Sequence, residues 1–138
     1  AKTLFPYTTL FRSDQSLRTL DITHAQASVM MMLSIGKCST AAELARDMFI
    51  DAAAMKRTLD KIASKGWIKR VADEQDRRLF KLELTDAGHA LAAQIPSVFH
   101  GVMEVGFTGF SQEEIGFLKS LLRKLLANRP LLEARGEE

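Results

Sequence analysis

Hydrophobic residues recur at the spacing of an α-helix in three parts of the chain, and each part begins with a capping box. In a capping box a Ser or Thr hydroxyl accepts the backbone N–H three residues on, and a Glu or Gln at that position reaches back. The three boxes are Thr23 with Gln26, Thr40 with Glu43, and Ser111 with Glu114. They predict a helix over residues 23–35, a short helix over 40–48, and a C-terminal helix whose apolar stripe is Ile115, Leu118, Leu121, Leu122 and Leu125.

A fourth helix is predicted between the second and third boxes. Asp51 is suited to cap its start and Gly66 to end it, so this helix should cover about residues 52–65. Met55, Leu59 and Ile62 are spaced four and three residues apart and form its predicted buried face. A short helix, a three-residue turn and a longer helix together predict a helix-turn-helix.

After this helix the apolar residues alternate with polar ones. "WIKRV" is rich in bulky and β-branched residues, and "FKLELT" places Phe80, Leu82 and Leu84 on one side of a strand. The two strands are joined by "ADEQDR" and predict a hairpin. A hairpin directly after a helix-turn-helix predicts a winged helix.

Composition limits the class of protein. The 138 residues are enough for one domain, and 46% hydrophobic with 26% charged residues is ordinary for a globular protein. No apolar run approaches the ~20 residues that span a bilayer, and the single cysteine excludes an intrachain disulfide. We therefore predict a cytoplasmic protein with no membrane partner.

The charge is distributed unevenly along the chain. The net charge is +2, but residues 56–81 contain nine basic residues against four acidic ones, a local charge of +5 that leaves −3 elsewhere. A basic stripe on an almost neutral protein is typical of proteins that bind a polyanion. A solvated helix face with several lysines is the alternative, and charge alone does not decide between the two.

The segment from Leu44 to Gly88 resembles the MarR family of bacterial transcription regulators. The motifs of the family occur in order: Leu44-Ala45, Gly66-Trp67-Ile68, the Asp-x-Arg of the wing at Asp76 and Arg78, and the Leu-Thr-x-x-Gly at Leu84, Thr85 and Gly88. "DITHAQ" at 21–26 is similar to the family's apolar-Thr-x-x-Gln helix start, and the resemblance covers roughly residues 20–127. It implies a mainly α fold with a small β-hairpin wing (α+β), in which N- and C-terminal dimerisation helices flank a winged helix-turn-helix.

The resemblance also implies a function. Such a protein binds double-stranded DNA at a palindromic operator as a homodimer, with the second helix in the major groove and the wing along the minor groove. Arg78 matches the wing arginine of the family, and a narrow minor groove attracts an arginine by its concentrated negative potential. Asp76 is expected to pair with Arg78 or Arg77 and fix the wing. The expected DNA-binding residues are Thr40, Ala52, Ala53, Lys56, Arg57, Lys61, Asp76, Arg77 and Arg78.

The three alanines at 52–54 depart from the family, which more often has polar residues there. Their methyl groups can contact a thymine methyl, and a helix N-terminus can hold a phosphate. Alanine is also simply a good helix former. Direct base readout is then expected from Lys56, Arg57 and Lys61, with DNA shape contributing to specificity.

The ends of the chain are expected to form the dimer. A long helix should run from Thr85 through "DAGHALAAQI", kink at Pro96 and reach about Glu104. The leucines of the last helix exceed what a monomer of this length needs. We therefore assign residues 21–88 to the winged helix-turn-helix and residues 89–138 to C-terminal dimerisation helices.

Residues 1–20 are atypical. Where the family has a long first helix, "AKTLFPYTTLFRS" contains Pro6 and the β-branched Thr8 and Thr9. The stretch resembles translated sequencing-adapter text, so we interpret it as non-native.

A switch is implied by the resemblance: a small aromatic or phenolic acid would release the repressor from DNA. Arg18 and His24 are the candidate ligand-binding residues, although His24 also fits a surface position in a first helical turn. Cys38 follows Lys37, which could lower its pKa and allow redox sensing. A small apolar residue is the alternative reading of Cys38.

Enzymatic function finds little support in the sequence. The histidines at 24, 89 and 100 accompany no nucleophile motif, and no Gly-rich phosphate loop, HExxH or CxxC occurs. We expect no catalytic residue, metal or cofactor. The alternatives to a ligand-released repressor are a winged-helix module that binds protein and a repressor that senses oxidants through Cys38.

Overall fold

The computed structural model describes residues 16–135, apart from the side chains of residues 132 and 133. After a 3-10 turn at Arg18–Leu20, the helices and strands in this range are α1 (His24–Ser34), α2 (Ala41–Asp47), α3 (Ala52–Ser64), β1 (Ile68–Ala72), β2 (Phe80–Leu84), α4 (Asp86–Gly106), α5 (Gln112–Ala127) and α6 (Arg129–Arg135). The chain divides into two compact units, with the boundary between Val102 and Met103, inside α4.

The capping boxes form as predicted and set the helix starts. Thr23 and Gln26 exchange hydrogen bonds at the start of α1, at 3.3 and 3.2 Å. The same reciprocal pair opens α2 and α5. The predicted helix-turn-helix is therefore confirmed, with each of its helices within a residue or two of its expected bounds. The long helix α4 passes through Pro96 as one element and ends two residues beyond the predicted Glu104.

The core of the first unit lies where α1, α2 and α3 meet the base of the hairpin. Met55, Leu59 and Ile62 are buried on the inner face of α3, as their spacing predicted. They pack with buried apolar residues from the other elements, among them Leu17, Ile22, Ala27, Val29, Met30, Leu44, Ile68, Leu82, Leu84, Leu91, Ala92 and Ile95. Burial of this apolar surface is the main force that holds α3 in place.

The hairpin is an antiparallel pair in which Ile68 lies opposite Leu84 and Ala72 opposite Phe80. Its base is anchored in the core by buried Ile68 and Leu84, and the Leu82 N–H donates to the Ser39 carbonyl at 2.7 Å. Phe80 was expected on the buried side of its strand, but it is 55% exposed. The reason is its position at the far end of the hairpin, beyond the reach of the core.

The second unit contains α5 and α6. Phe107 and Phe110 meet edge to face at 5.4 Å in the turn before α5. The large apolar residues of α5 are half-buried or exposed, with Leu125 at 65% and Phe117 at 67%. Within residues 16–135, no helix is both long enough and apolar enough to cross a membrane.

Candidate nucleic-acid interface

The exposed face of α3 is basic. Opposite the buried Met55, Leu59 and Ile62, the helix presents Lys56 and Arg57 to solvent. Neither side chain forms an ion pair with any residue of the described range. Two uncompensated cations on one exposed helix face can attract a polyanion.

Ala52 and Ala53 lie exposed in the first turn of α3, the helix whose N-terminus is predicted to hold a phosphate. Asp51 caps it, and its carboxylate accepts the Ala54 N–H at 2.9 Å. A carboxylate at this end competes with any phosphate for the same N–H groups and repels it. The carboxylate makes the helix end less favourable for a phosphate, which leaves the cationic side chains of the exposed face as the groups able to attract an anion.

Thr40 caps α2 in the same way. Its hydroxyl accepts the Glu43 N–H at 3.2 Å, while the Glu43 carboxylate accepts the N–H groups of Ser39 and Thr40 at 2.7 and 3.1 Å. These hydrogen bonds, the one from the Ser39 backbone foremost, lower the pKa of Glu43. The structure thus gives Thr40 a capping role at the start of α2.

An ion pair ties α3 to the hairpin. The Asp60 carboxylate accepts a hydrogen bond from the Arg70 guanidinium of β1 at 2.8 Å. Both side chains are about half exposed, so the pair is worth less than about 1 kcal/mol in stability. The pair joins β1 to the outward side of the helix, the side that also bears Lys56 and Arg57.

The tip of the hairpin is organised by Asp73. Its carboxylate accepts the N–H groups of Gln75 and Asp76 at 2.7 and 3.2 Å and pairs with Lys81 at 2.8 Å. The Lys81 ammonium and these N–H groups lower the pKa of Asp73 to about 2. The Asp73 N–H donates to the Leu79 carbonyl at 2.9 Å and closes the loop.

The expected pairing of Asp76 with an arginine side chain is wrong. The Asp76 carboxylate instead accepts the backbone N–H of Arg78 at 3.0 Å, a local turn that a short acidic side chain makes readily. Asp76 still shapes the wing, but it leaves both guanidinium groups uncompensated: Arg77 and Arg78 are exposed and form no ion pair within residues 16–135.

The Leu-Thr-x-x-Gly motif joins the wing to α4. The Thr85 hydroxyl donates to the Gly66 carbonyl at 2.6 Å and accepts the Gly88 N–H at 3.1 Å. The Thr85 N–H donates to the Trp67 carbonyl at 3.0 Å. These bonds connect the end of β2, the start of α4 and the segment that leaves α3.

Lys61 lies one turn after Arg57 on the exposed side of α3. At 100° per residue it lies about 40° around the helix from Arg57 and about 140° from Lys56, and it lines a cavity together with Arg18, Asp21 and Lys65. The cavity is bounded by the turn before α1 and the C-terminal half of α3. Sequence reasoning placed Lys61 with Arg57 because both lie on the exposed side of the same helix.

The two candidate ligand-binding residues are not brought together in one site. Arg18 is exposed and lines the cavity with Lys61. His24 is half-buried, meets the Phe99 ring edge to face at 5.6 Å and does not line that cavity. Among the described residues, no cluster of three side chains suited to bind a metal occurs.

Cys38 does not have the environment of a reactive thiol. It is 4% exposed, and its sulfur lies 3.8 Å from a carboxylate oxygen of Asp47. Burial, followed by the charges of Asp47 and Glu43, raises the pKa of the thiol, and the opposing effect of Lys37 is smaller. Lys37 does lower the pKa, as expected, but burial and the two carboxylates outweigh it, so the thiol is not activated. Lys37 also pairs with Asp47, at 3.9 Å.

Several residues of the interface were missed from the sequence. The role of Asp73 could have been predicted, since an Asp side chain in a turn typically accepts the backbone N–H two residues further on. The Asp60–Arg70 pair left no sequence pattern, because its partners come from different elements whose relative angle is set by the core. Leu79 and Phe80, each more than half exposed beside Arg78, were likewise not anticipated at the tip of the wing.

Comparison with known proteins identifies the family. A family model described as the MarR family matches residues 22–80. The multiple antibiotic resistance protein MarR of Escherichia coli K12 is 31% identical over 114 residues, which cover 82% of this chain and 79% of that protein. The protein of the same name from Salmonella typhimurium is 32% identical over 111 residues, covering 80% and 77% of the two chains.

Solved structures agree with the sequence comparisons. The reduced form of MarR from E. coli superimposes with a TM-score of 0.77 at 27% identity, covering 90% of this chain and 92% of that one. A cysteine-to-serine mutant of E. coli MarR complexed with operator DNA gives 0.79 at 28% identity, covering 90% and 89%. The predicted winged-helix fold is confirmed, and the chain belongs to the MarR family.

Proposed function

We propose that the protein is a transcription regulator that binds double-stranded DNA through α3 and the wing. The observation that supports this most directly is the set of four uncompensated cations, Lys56 and Arg57 on α3 and Arg77 and Arg78 on the wing. The Asp60–Arg70 pair holds these two elements together at 2.8 Å. The E. coli MarR structure complexed with operator DNA, at 28% identity, supports the same proposal.

Each part of the interface has a distinct role in the proposal. Lys56 and Arg57 contact phosphates and base edges in the major groove, and the methyl groups of Ala52 and Ala53 contact thymine methyls. Arg78, with Arg77 beside it, lies in the minor groove, where negative potential is concentrated. Thr40 and Asp76 act indirectly by fixing α2 and the wing, and Lys61, one turn after Arg57 on the same side of α3, extends these contacts.

We further propose that the regulator is a homodimeric repressor. The exposed apolar residues of α5 supply a surface for a second copy, and two copies place two α3 helices on successive major grooves of a palindromic operator. The effector we propose is a small aromatic or phenolic acid that lowers the affinity for DNA. Arg18 is the residue of the chain that we propose for its carboxylate.

The test is selection of duplex DNA from a random library by the wild type and by Arg78→Ala. Wild type should enrich a palindrome, and the variant should lose most of that enrichment. Arg123→Ala is the matched control, because it removes the same charge from the polar side of α5. The salt dependence of binding should be steep in the wild type and shallower by about one unit of slope in Lys56→Ala. If the wild type enriches nothing at low salt, the proposal is wrong.

The two alternative functions would give different experimental results. A module that binds protein rather than DNA would show no salt-dependent affinity for duplexes. A cysteine-based oxidant sensor would lose its response in Cys38→Ser, whereas burial and the raised pKa of Cys38 favour DNA binding that oxidants leave unchanged.

A further inference from the structure

The basic side chains of the two hairpin strands are each paired with an acid. The ion pairs are Arg70 with Asp60 at 2.8 Å, Lys69 with Glu83 at 3.4 Å, and Lys81 with Asp73 at 2.8 Å. Because their charge is compensated, these strands attract a phosphate less than the exposed Arg77 and Arg78 at the tip do. A contact between DNA and the middle of the wing must therefore depend on something other than charge.

Phe80 is the apolar group that the middle of the wing presents to solvent. Among the large apolar side chains of β1 and β2, it alone is exposed, at 55%. It lies opposite Ala72, whose methyl group is too small to cover a phenyl ring. Single exposed apolar residues are common on protein surfaces, so the position of Phe80 decides what its exposure means.

Phe80 lies on the face of the hairpin that meets α3. Side chains alternate between the two faces along a strand, and partners in register share a face. Ala72, the partner of Phe80, is two residues from Arg70, so all three lie on one face. The Arg70 side chain on this face reaches Asp60, on the outward side of α3. Phe80 therefore lies between the basic face of α3 and Arg78 at the tip.

The proposed function places α3 in the major groove and the arginines of the tip in the neighbouring minor groove. The part of the protein between them then faces the sugar–phosphate strand that separates the two grooves. The apolar component of this strand is its deoxyribose. The cations at both ends of the face hold a polyanion over the uncharged surface between them.

We propose that Phe80 packs on the deoxyribose rings of this strand and contributes to DNA affinity by apolar contact rather than by charge. The inference rests on the proposed function and deepens it by adding a contact residue and the part of the duplex that it binds. Contacts to sugars position a protein on DNA without reading its sequence. Phe80 should therefore contribute equally to duplexes of different sequence.

The test compares Phe80→Ala with Arg78→Ala in the full chain. Phe80→Ala should lower the affinity for the selected palindrome by about tenfold, because the apolar contact of the ring is lost. The slope of log affinity against log salt concentration should stay as in the wild type, whereas in Arg78→Ala it should become shallower by about one. Fluorescence anisotropy of a labelled duplex, titrated at several salt concentrations, measures both quantities. An unchanged affinity of Phe80→Ala, or a slope as shallow as that of Arg78→Ala, would overturn the inference.

Leu79→Ala is the matched control. Leu79 precedes Phe80 in the chain and is 54% exposed, but the alternation along the strand turns it to the opposite face. Its replacement should leave the affinity almost unchanged. Equal losses in Leu79→Ala and Phe80→Ala would mean that the apolar tip as a whole contributes, and the position given to Phe80 would be wrong.

Two further outcomes are distinguishable. The N–H signals of Gln75 and Asp76, which Asp73 accepts, should keep their NMR positions in Phe80→Ala. Shifted signals together with lost affinity would make Phe80 a residue that shapes the tip and would overturn the contact with DNA. A wild type that binds no duplex refutes the proposed function and this inference together, whereas equal binding by the wild type and Phe80→Ala refutes the inference alone.

Discussion

Gly88 lies in the first turn of α4, against the chain that leaves α3. A Cβ at this position would lie 1.9 Å from the carbonyl oxygen of Trp67 and 2.9 Å from its carbonyl carbon. That same oxygen accepts the Thr85 N–H, so it cannot move aside without breaking the bond that joins β2 to the end of α3. The glycine of the motif is therefore required by the close approach of two backbones.

Replacement of Gly88 by Ala should lower the free energy of unfolding by about 3 kcal/mol, the upper end of the usual cost of overpacking. Gly101→Ala is the control within the same helix, because a Cβ there meets nothing within 4 Å. Alanine at 101 should raise stability by about 0.5 to 1 kcal/mol through helix propensity. Urea denaturation of both variants measures the difference, and similar stabilities for the two would contradict the steric argument.

The carboxyl of Asp73 makes the wing tip sensitive to strong acid. A group whose pKa is lower in the folded state than its ordinary value of 3.8 stabilises the fold above that value, and the stabilisation disappears as pH falls through the folded pKa of about 2. The N–H signals of Gln75 and Asp76, followed by NMR, should therefore shift with a midpoint near pH 2. Asp73→Asn should lack this transition. A midpoint near the ordinary value would mean that Lys81 and the loop N–H groups do not hold the carboxylate.

At the scale of elements, the interface depends on the angle between α3 and the hairpin. The core fixes the base of the hairpin through Ile68 and Leu84, and the Asp60–Arg70 pair fixes β1 against α3 from the solvent side. Core packing supplies most of the stability, and we expect the exposed pair to influence how the wing is set relative to Lys56 and Arg57.

Asp60→Asn should therefore change stability by less than about 1 kcal/mol but lower the affinity for operator DNA severalfold. The control is Glu83→Gln, which also neutralises one acid, breaks the pair of Lys69 with Glu83 inside the hairpin, at 3.4 Å, and leaves the contact with α3 intact. Thermal denaturation and DNA titration are measured on both variants. Equal affinities of the wild type and Asp60→Asn for operator DNA would show that the angle of the wing is set by the core alone.

An interaction could be predicted from the sequence when its partners are close along the chain, and could not when they come from different elements. Caps such as Thr23 with Gln26 and the alternation of Leu82 and Leu84 depend on neighbours along the chain, so the helices, the strands and their order were predictable. The Asp60–Arg70 pair and the approach of Arg18 to Lys61 depend on how elements pack, so they were not. Phe49 shows the same limit locally: it adopts a φ of 54° in the turn before α3, where a glycine would have been expected.

At the scale of the whole molecule, the notable feature is the apolar surface of the second unit. Phe117, Leu121, Leu122, Leu125 and Leu126 are each 45% exposed or more on α5. Contiguous exposed apolar residues of this kind mark a surface that another molecule covers. The proposed homodimer buries them against a second copy.

Leu121→Glu combined with Leu125→Glu should convert the protein to a monomer, because charged residues are costly to bury in such an interface. Sedimentation equilibrium measures the change, and far-UV circular dichroism verifies that the helices persist. Arg123→Glu adds the same acidic group on the polar side of α5 and should leave the dimer intact. The double variant should also lose affinity for a palindromic duplex. If the double variant remains a dimer, this interface is wrong.

The hydrogen bonds that attach the wing at its base and those that shape its tip involve different residues. The bonds at its base involve Gly66, Trp67, Thr85 and Gly88, whereas those at its tip involve Asp73, Gln75 and Asp76, and no residue belongs to both sets. A loop of different length or charge can therefore be grafted between β1 and β2 without disturbing the start of α4. Substitutions or insertions in the loop should therefore change the tip of the hairpin and leave the elements that support its base unchanged.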